Sequence, residues 1–102
     1  MQAAGDMTAQ EVLDILAEEC LEVAHIVSKI RRFGMDSVHP VSLIPNKVTL
    51  RYEIADVMSM IEWAIDSDIV DFEEYDLLTH MEKKHARVLK FRTLSLDTEA
   101  EA

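Results

Sequence analysis

The chain has 102 residues, of which 49% are hydrophobic, and a formal charge of −10. That is apolar material for one core, which excludes a disordered tail, and an acidic balance that excludes a nucleic-acid phosphate backbone as a general partner. Two glycines and two prolines are too few turn residues for a sandwich or barrel, and the lone cysteine, Cys20, excludes an intramolecular disulfide and any multi-cysteine zinc site while fitting a reducing compartment. The first residues carry no basic segment followed by an apolar run, and no apolar stretch approaches the ~20 residues that span a bilayer. The expectation is a soluble cytoplasmic protein with no membrane partner.

Residues 1–7 are small and polar and are expected to be flexible. Thr8-Ala-Gln-Glu11 has the form of a capping box that opens a long first helix over residues 8–33. Leu13, Leu16, Cys20, Val23, Val27 and Ile30 recur at spacings of three and four, the seam of an amphipathic helix, and this places Cys20 in the core. Arg31 and Arg32 suit the C-terminal end of the helix dipole, and Gly34 suits the exit. Pro40 and Pro45 forbid a regular helix over 34–46. Val38, Val41, Leu43 and Ile44 make that loop too apolar for a free linker, so it is expected to pack on the body or on a second subunit. Asn46 is the expected N-cap of a second helix over 47–66. Asp71-Phe-Glu-Glu74 resembles another capping box and is expected to open a third helix that ends near Phe91, followed by a flexible tail over 92–102. The predicted fold is all-α, with three helices per chain and one helical domain over 8–91.

The acids are informative once placed at about 100° per residue around each helix. Glu11, Asp14, Glu18, Glu22, His25, Lys29 and Arg32 form a stripe with the pattern of an ordinary solvated face. Glu19 departs from it and lies beside Val12, Ile15, Ile26 and Ile30 on a flank that should be buried. On the second helix the polar side is Arg51, Glu62 and Asp66, whereas Glu53 sits among Leu50, Val57, Met60 and Ala64. Asp56 lies within about 60° of Glu53, on the side of Met60 and Trp63. A buried carboxylate needs protonation, a cationic partner or a metal ion. Between Lys47 and Lys83 the one basic residue is Arg51, which faces away. Hard divalent cations take carboxylate oxygens, and two acids three or four apart can reach one ion from one helix face. Glu19 with Glu22 and Glu53 with Asp56 are two such pairs, able to meet midway if the helices pack antiparallel.

The same residues form two short motifs. Glu18-Glu19-Cys20-Leu21-Glu22 reads EExxE, and Glu53-Ile54-Ala55-Asp56 reads ExxD. In order on consecutive helices, over residues of about 10–65, they resemble the signature of the MazG-like all-α nucleoside triphosphate pyrophosphohydrolases. The resemblance implies that Glu19, Glu22, Glu53 and Asp56 are Mg²⁺ ligands, with Mn²⁺ a possible substitute, and that Glu18 assists a further metal or its water. It implies a nucleoside triphosphate substrate cut between the α- and β-phosphates to a monophosphate and pyrophosphate. Relatives often carry a Lys…Asn…Arg phosphate clamp on a later helix. The nearest equivalent is Lys83, Lys84, Arg87 and Lys90, without the asparagine. Lys83, Arg87 and Lys90 share one face and are the candidate phosphate-binding set, with a solvated basic face balancing the acids of 66–76 as the alternative. Three helices offer a nucleotide little shelter, so at least a homodimer is expected.

Two other readings use the same residues. Glu22-Val-Ala-His25 is a Glu-x-x-His pattern of the kind found in di-iron four-helix bundles, although Glu19 and Asp56 would then be surplus. A non-enzymatic acidic interaction protein would use the apolar loop and the Met58/Met60 region as a partner surface, but leaves Glu53 and Asp56 unexplained. Trp63, Tyr52, Phe72 and Tyr75 are expected in the core or an interface, and the absence of a Gly-rich phosphate loop excludes P-loop and Rossmann binding by motif.

Overall fold

The computed structural model describes residues 7–101, with side chains described through Leu94. Residues 1–6, most of the segment expected to be flexible, lie outside the described residues. The described residues form α1 (Ala9–Phe33), α2 (Asn46–Asp66) and α3 (Leu77–Glu101), with no strand among them. None of these helices is long and apolar enough to cross a membrane. The chain divides into two compact units, Met1–Val70 and Asp71–Ala102.

The expected capping box opens α1. Thr8 Oγ1 accepts from the Glu11 N–H at 3.1 Å, and the Glu11 carboxylate accepts from the Thr8 N–H at 3.2 Å. The helix leaves through Gly34 at φ +94°, whose N–H still donates to the Ile30 carbonyl at 2.7 Å. Only glycine takes that backbone angle without strain.

The connection to α2 is tied by its own backbone. His39 N–H donates to the Ile44 carbonyl, Leu43 N–H to the His39 carbonyl, Asn46 N–H to Ser37 and Lys47 N–H to Met35, all at 2.8–3.1 Å. Lys47 also pairs with Asp36 at 2.6 Å. This loop corrects one expectation. The N-cap of α2 is Pro45, and Asn46 is the first helical residue, buried, with Nδ2 donating to the Gly34 carbonyl at 3.1 Å. Loop carbonyls already accept the helix's first free N–H groups, so no side-chain cap is needed. Within the chain, Val38, Val41, Leu43 and Ile44 are all exposed, Val41 to 84%.

α1 and α2 pack antiparallel. Val12 near the start of α1 meets Met60 and Ala64 near the end of α2, while Asn46 at the start of α2 reaches Gly34 beyond the end of α1. The core is Val12, Met60 and Ala64, with Met7, Ile15, Leu16, Trp63, Ile69 and Val70 partly buried against it. Trp63 is thus a core residue, as expected, whereas Tyr52 and Tyr75 are exposed and Phe72 is half-buried. The predicted seam is rotated. Leu13 and Val27 are about two-fifths exposed, and Cys20, placed in the core from its spacing, is exposed. The apolar arc of α1 is wider than one helix covers, and α2 lies over the flank centred on Val12, Glu19 and Ile26. α2 has the same surplus: Ile54, Met58, Ile61 and Ile65 are exposed.

The helix of the second unit starts later than its sequence suggests. Asp71 Oδ1 accepts from the Glu73 N–H at 2.8 Å, a local turn, and the helix begins at Leu77. The cap is Asp76, which accepts from the Thr79 N–H at 3.0 Å and the Thr79 hydroxyl at 2.7 Å. Those hydrogen bonds hold its carboxyl below the usual range. Tilted contacts of Tyr75 with Phe72 at 5.9 Å and with His80 at 5.7 Å accompany the turn. α3 does not stop near Phe91 but remains helical through Glu101. Its described side chains are exposed throughout.

Candidate metal centre

The antiparallel register brings the middle of α1 against the first half of α2, and that is where the acids stand. One carboxylate oxygen each of Glu19, Glu53 and Asp56 lies within 4.8 Å of the other two. Glu19 and Glu53 are half-buried and Asp56 is exposed, so the trio is open to solvent at one side. Helical spacing explains the opening. Asp56 is three residues beyond Glu53 and turns toward the rim, while Glu53 stays on the contact face with Met60 and Ala64.

Glu22 stands outside the trio but close to Glu53. Burial raises the Glu53 carboxyl above its ordinary range, and the charge of Glu22, then of Asp56 and Glu19, raises it further. No described cation neutralises the group: Arg51 lies over the ring of Tyr52 at 5.6 Å, and the ion pair between Lys47 and Asp36 belongs to the loop. Three oxygens from three carboxylates within this span fit the donor chemistry of a hard divalent cation such as Mg²⁺ or Mn²⁺. They do not suit a soft metal, since no thiol is among them.

The raised carboxyl has a pH consequence. Folded Glu53 holds its proton more tightly than the unfolded chain does, so its contribution to stability falls as pH rises through the ordinary carboxylate range and past the raised folded value. Without divalent ions, the stability gap between Glu53→Gln and the parent should widen in favour of the variant over that range. Paired thermal melts at a series of pH values measure it. A gap that does not change with pH would contradict the assigned repulsion.

Two clefts flank the trio. One, of about 90 Å³, is lined by Glu22, His25, Ile26, Lys29, Thr49 and Glu53. The other, of about 210 Å³, is apolar and lined by Cys20, Val23, Ile54, Val57 and Met58. From Glu19, Cys20 and Glu22 step to opposite flanks of α1, and Ile54 and Asp56 do the same from Glu53. The polar and apolar clefts therefore lie on opposite sides of the α1–α2 contact. Both are below the ~300–1,000 Å³ of typical ligand pockets.

Of the other predicted residues, Glu18 is exposed on α1 and does not join the trio. In the second unit, exposed Lys83 and Arg87 line one open concavity of α3 with His80 and Ala86, and Lys90 lies outside it. His25 and Lys29 were assigned to a solvated stripe. The structure places both in the cleft with Glu53, and Lys29 is half-buried. Their signal was present in the spacing, because Lys29 repeats the flank of Glu22 after two turns. Among known proteins, no family model, no curated protein and no solved structure matches the chain.

Proposed function

We propose that the protein is a Mg²⁺-dependent nucleoside triphosphate pyrophosphohydrolase, cleaving an NTP or dNTP between the α- and β-phosphates to a monophosphate and pyrophosphate. One observation carries this reading: Glu19, Glu53 and Asp56 converge from two helices with no ion pair to any of them among the described residues. The order of the EExxE and ExxD motifs, and their likeness to the MazG-like enzymes, supports it. Glu19, Glu53 and Asp56, with Glu22 adjacent, would hold the ion. Bound there, Mg²⁺ supplies neutralisation of the triphosphate, polarisation of the α-phosphorus and a water of lowered pKa. The carboxylates of Glu19, Glu53 and Asp56 would fix that charge at one point. A water oxygen bonds to the α-phosphorus, the bond to the α,β-bridging oxygen breaks, and its electron pair leaves on pyrophosphate. The water gives up one proton to solvent.

The same reading includes assembly of at least two copies. Neither cleft alone encloses a nucleotide. Ile54, Met58, Ile61, Ile65 and Leu13 leave an apolar strip uncovered, beyond what scattered surface residues explain. That strip also suits the non-enzymatic reading, an acidic interaction protein, which divalent binding separates from the enzyme. The di-iron reading has less support, because Glu22 and His25 do not join a group of three metal-ligating side chains among the described residues.

The test is a panel of NTPs and dNTPs incubated with the protein and Mg²⁺ or Mn²⁺, with products identified by phosphorus NMR. Monophosphate with pyrophosphate is the expected result. Inorganic phosphate as the first product, or no turnover of any nucleotide, overturns the assignment.

A further inference from the structure

We propose that Lys29, with His25 one turn before it, anchors the phosphates that depart as pyrophosphate, so that the phosphate clamp of this protein lies on α1 rather than α3. This rests on the hydrolase reading for the name of the ligand, but the geometry is that of the 90 Å³ cleft. Glu53 belongs to both the acidic trio and this cleft, so the two are continuous. Lys29 lines the cleft half-buried, yet forms no ion pair among the described residues. A lysine that served only to neutralise the acids would sit against them. Here the ammonium forms no ion pair with Glu22 or Glu53, although all three residues line one cleft.

A group that bridges a cation held by carboxylates and an ammonium across a gap is an anion of extended shape. A polyphosphate meets that requirement, and lysine binds phosphate oxygens as a compact point charge with three donors. Lys29 is seven residues beyond Glu22, about 10 Å along the helix axis, and helical side chains lean back toward the N-terminus. The cleft thus runs from the acids toward the end of α1, and its cationic part is its far end. From the opposite wall, the Thr49 hydroxyl offers a further donor. Lys83 and Arg87 line their concavity within the other unit, and no acid is among its lining residues.

The experiment is calorimetric titration of inorganic pyrophosphate, in the presence of Mg²⁺, into the parent protein, Lys29→Met, Lys29→Arg and Lys83→Met. Mn²⁺ titrated alone serves as the control for an intact acidic site. Lys29→Met is expected to weaken pyrophosphate binding by about tenfold or more, the worth of one charge-assisted contact. Mn²⁺ affinity should stay unchanged, Lys29→Arg should recover most of the loss, and Lys83→Met should bind as the parent does. Equal affinity in Lys29→Met and the parent, a loss confined to Lys83→Met, or no pyrophosphate binding by the parent overturns the anchor. A parent that binds pyrophosphate through Lys29 but hydrolyses no nucleotide overturns the hydrolase reading and supports the anchor.

Discussion

Glu53→Gln should lose nucleotide turnover by at least ~100-fold while folding as well as the parent or better. The substitution keeps the shape of the side chain and removes one charge from the centre of the trio, where three carboxylate oxygens lie within 4.8 Å. Two effects follow from one cause. In the metal-free protein the repulsion of Glu53 with Glu22, Asp56 and Glu19 disappears, and so does the desolvation of its charge. The thermal midpoint should therefore be higher in the variant without divalent ions. With Mg²⁺ the order reverses. An ion that binds only the folded state adds about 2.7 kcal/mol at a hundredfold excess over its dissociation constant, and the variant should lose most of that gain. Melting curves with and without Mg²⁺, beside the product assay, separate the effects. Full activity in Glu53→Gln would remove Glu53 from the site.

Ile54→Glu should produce the other large effect, on assembly and stability. Among described hydrophobic side chains, Val12, Ile26, Met60 and Ala64 are the buried ones, a small core for a helical hairpin. Ile54 lies on the uncovered strip beside Met58 and lines the apolar cleft with Cys20. Covering such a side chain contributes about 1.5–3 kcal/mol per copy. A glutamate there would forfeit that and place a charge in the contact. The parent should sediment at a multiple of 11.6 kDa and melt at a midpoint that rises with protein concentration. The variant should sediment as a single chain and melt lower. A parent that remains one chain at every concentration, or a variant of unchanged mass, would overturn the assembly and favour a different occupant of the strip.

Much of this architecture is legible from local rules, and the exceptions have physical causes. The Thr8/Glu11 box and the Gly34 exit are decided within a few residues, so spacing alone finds them. Asn46 is the first helical residue rather than the cap because the Ser37 and Met35 carbonyls, which only the folded loop presents, accept the N–H groups of Asn46 and Lys47. The start of α3 was misread because Asp71 and Asp76 are equally good caps by type, and the aromatic contacts around Tyr75 accompany the choice. Glu19, Glu53 and Asp56 were readable as misplaced charges, since each breaks the pattern of its own helix. Lys29 breaks no pattern. Its spacing puts it on the flank of Glu22, and α2 walls that flank off, turning a solvated stripe into one side of a cleft. Cys20 is the converse: its spacing is that of a core residue, and α2 covers the neighbouring flank.

The self-bonded connection between α1 and α2 also bears on how the hairpin closes. Loop-closure entropy grows slowly with length, and this connection is held by its own hydrogen bonds. Pairing that starts at the loop, where Asn46 meets Gly34, is therefore local and fast. Zipping onward from there, the chain must carry Glu53 past Glu22 and Glu19 before Val12 can reach Met60 and Ala64. The like charges stand between the loop end and the main apolar core, so their repulsion opposes completion of the hairpin. Dissolved divalent ions would act on the speed of folding as well as on the finished site.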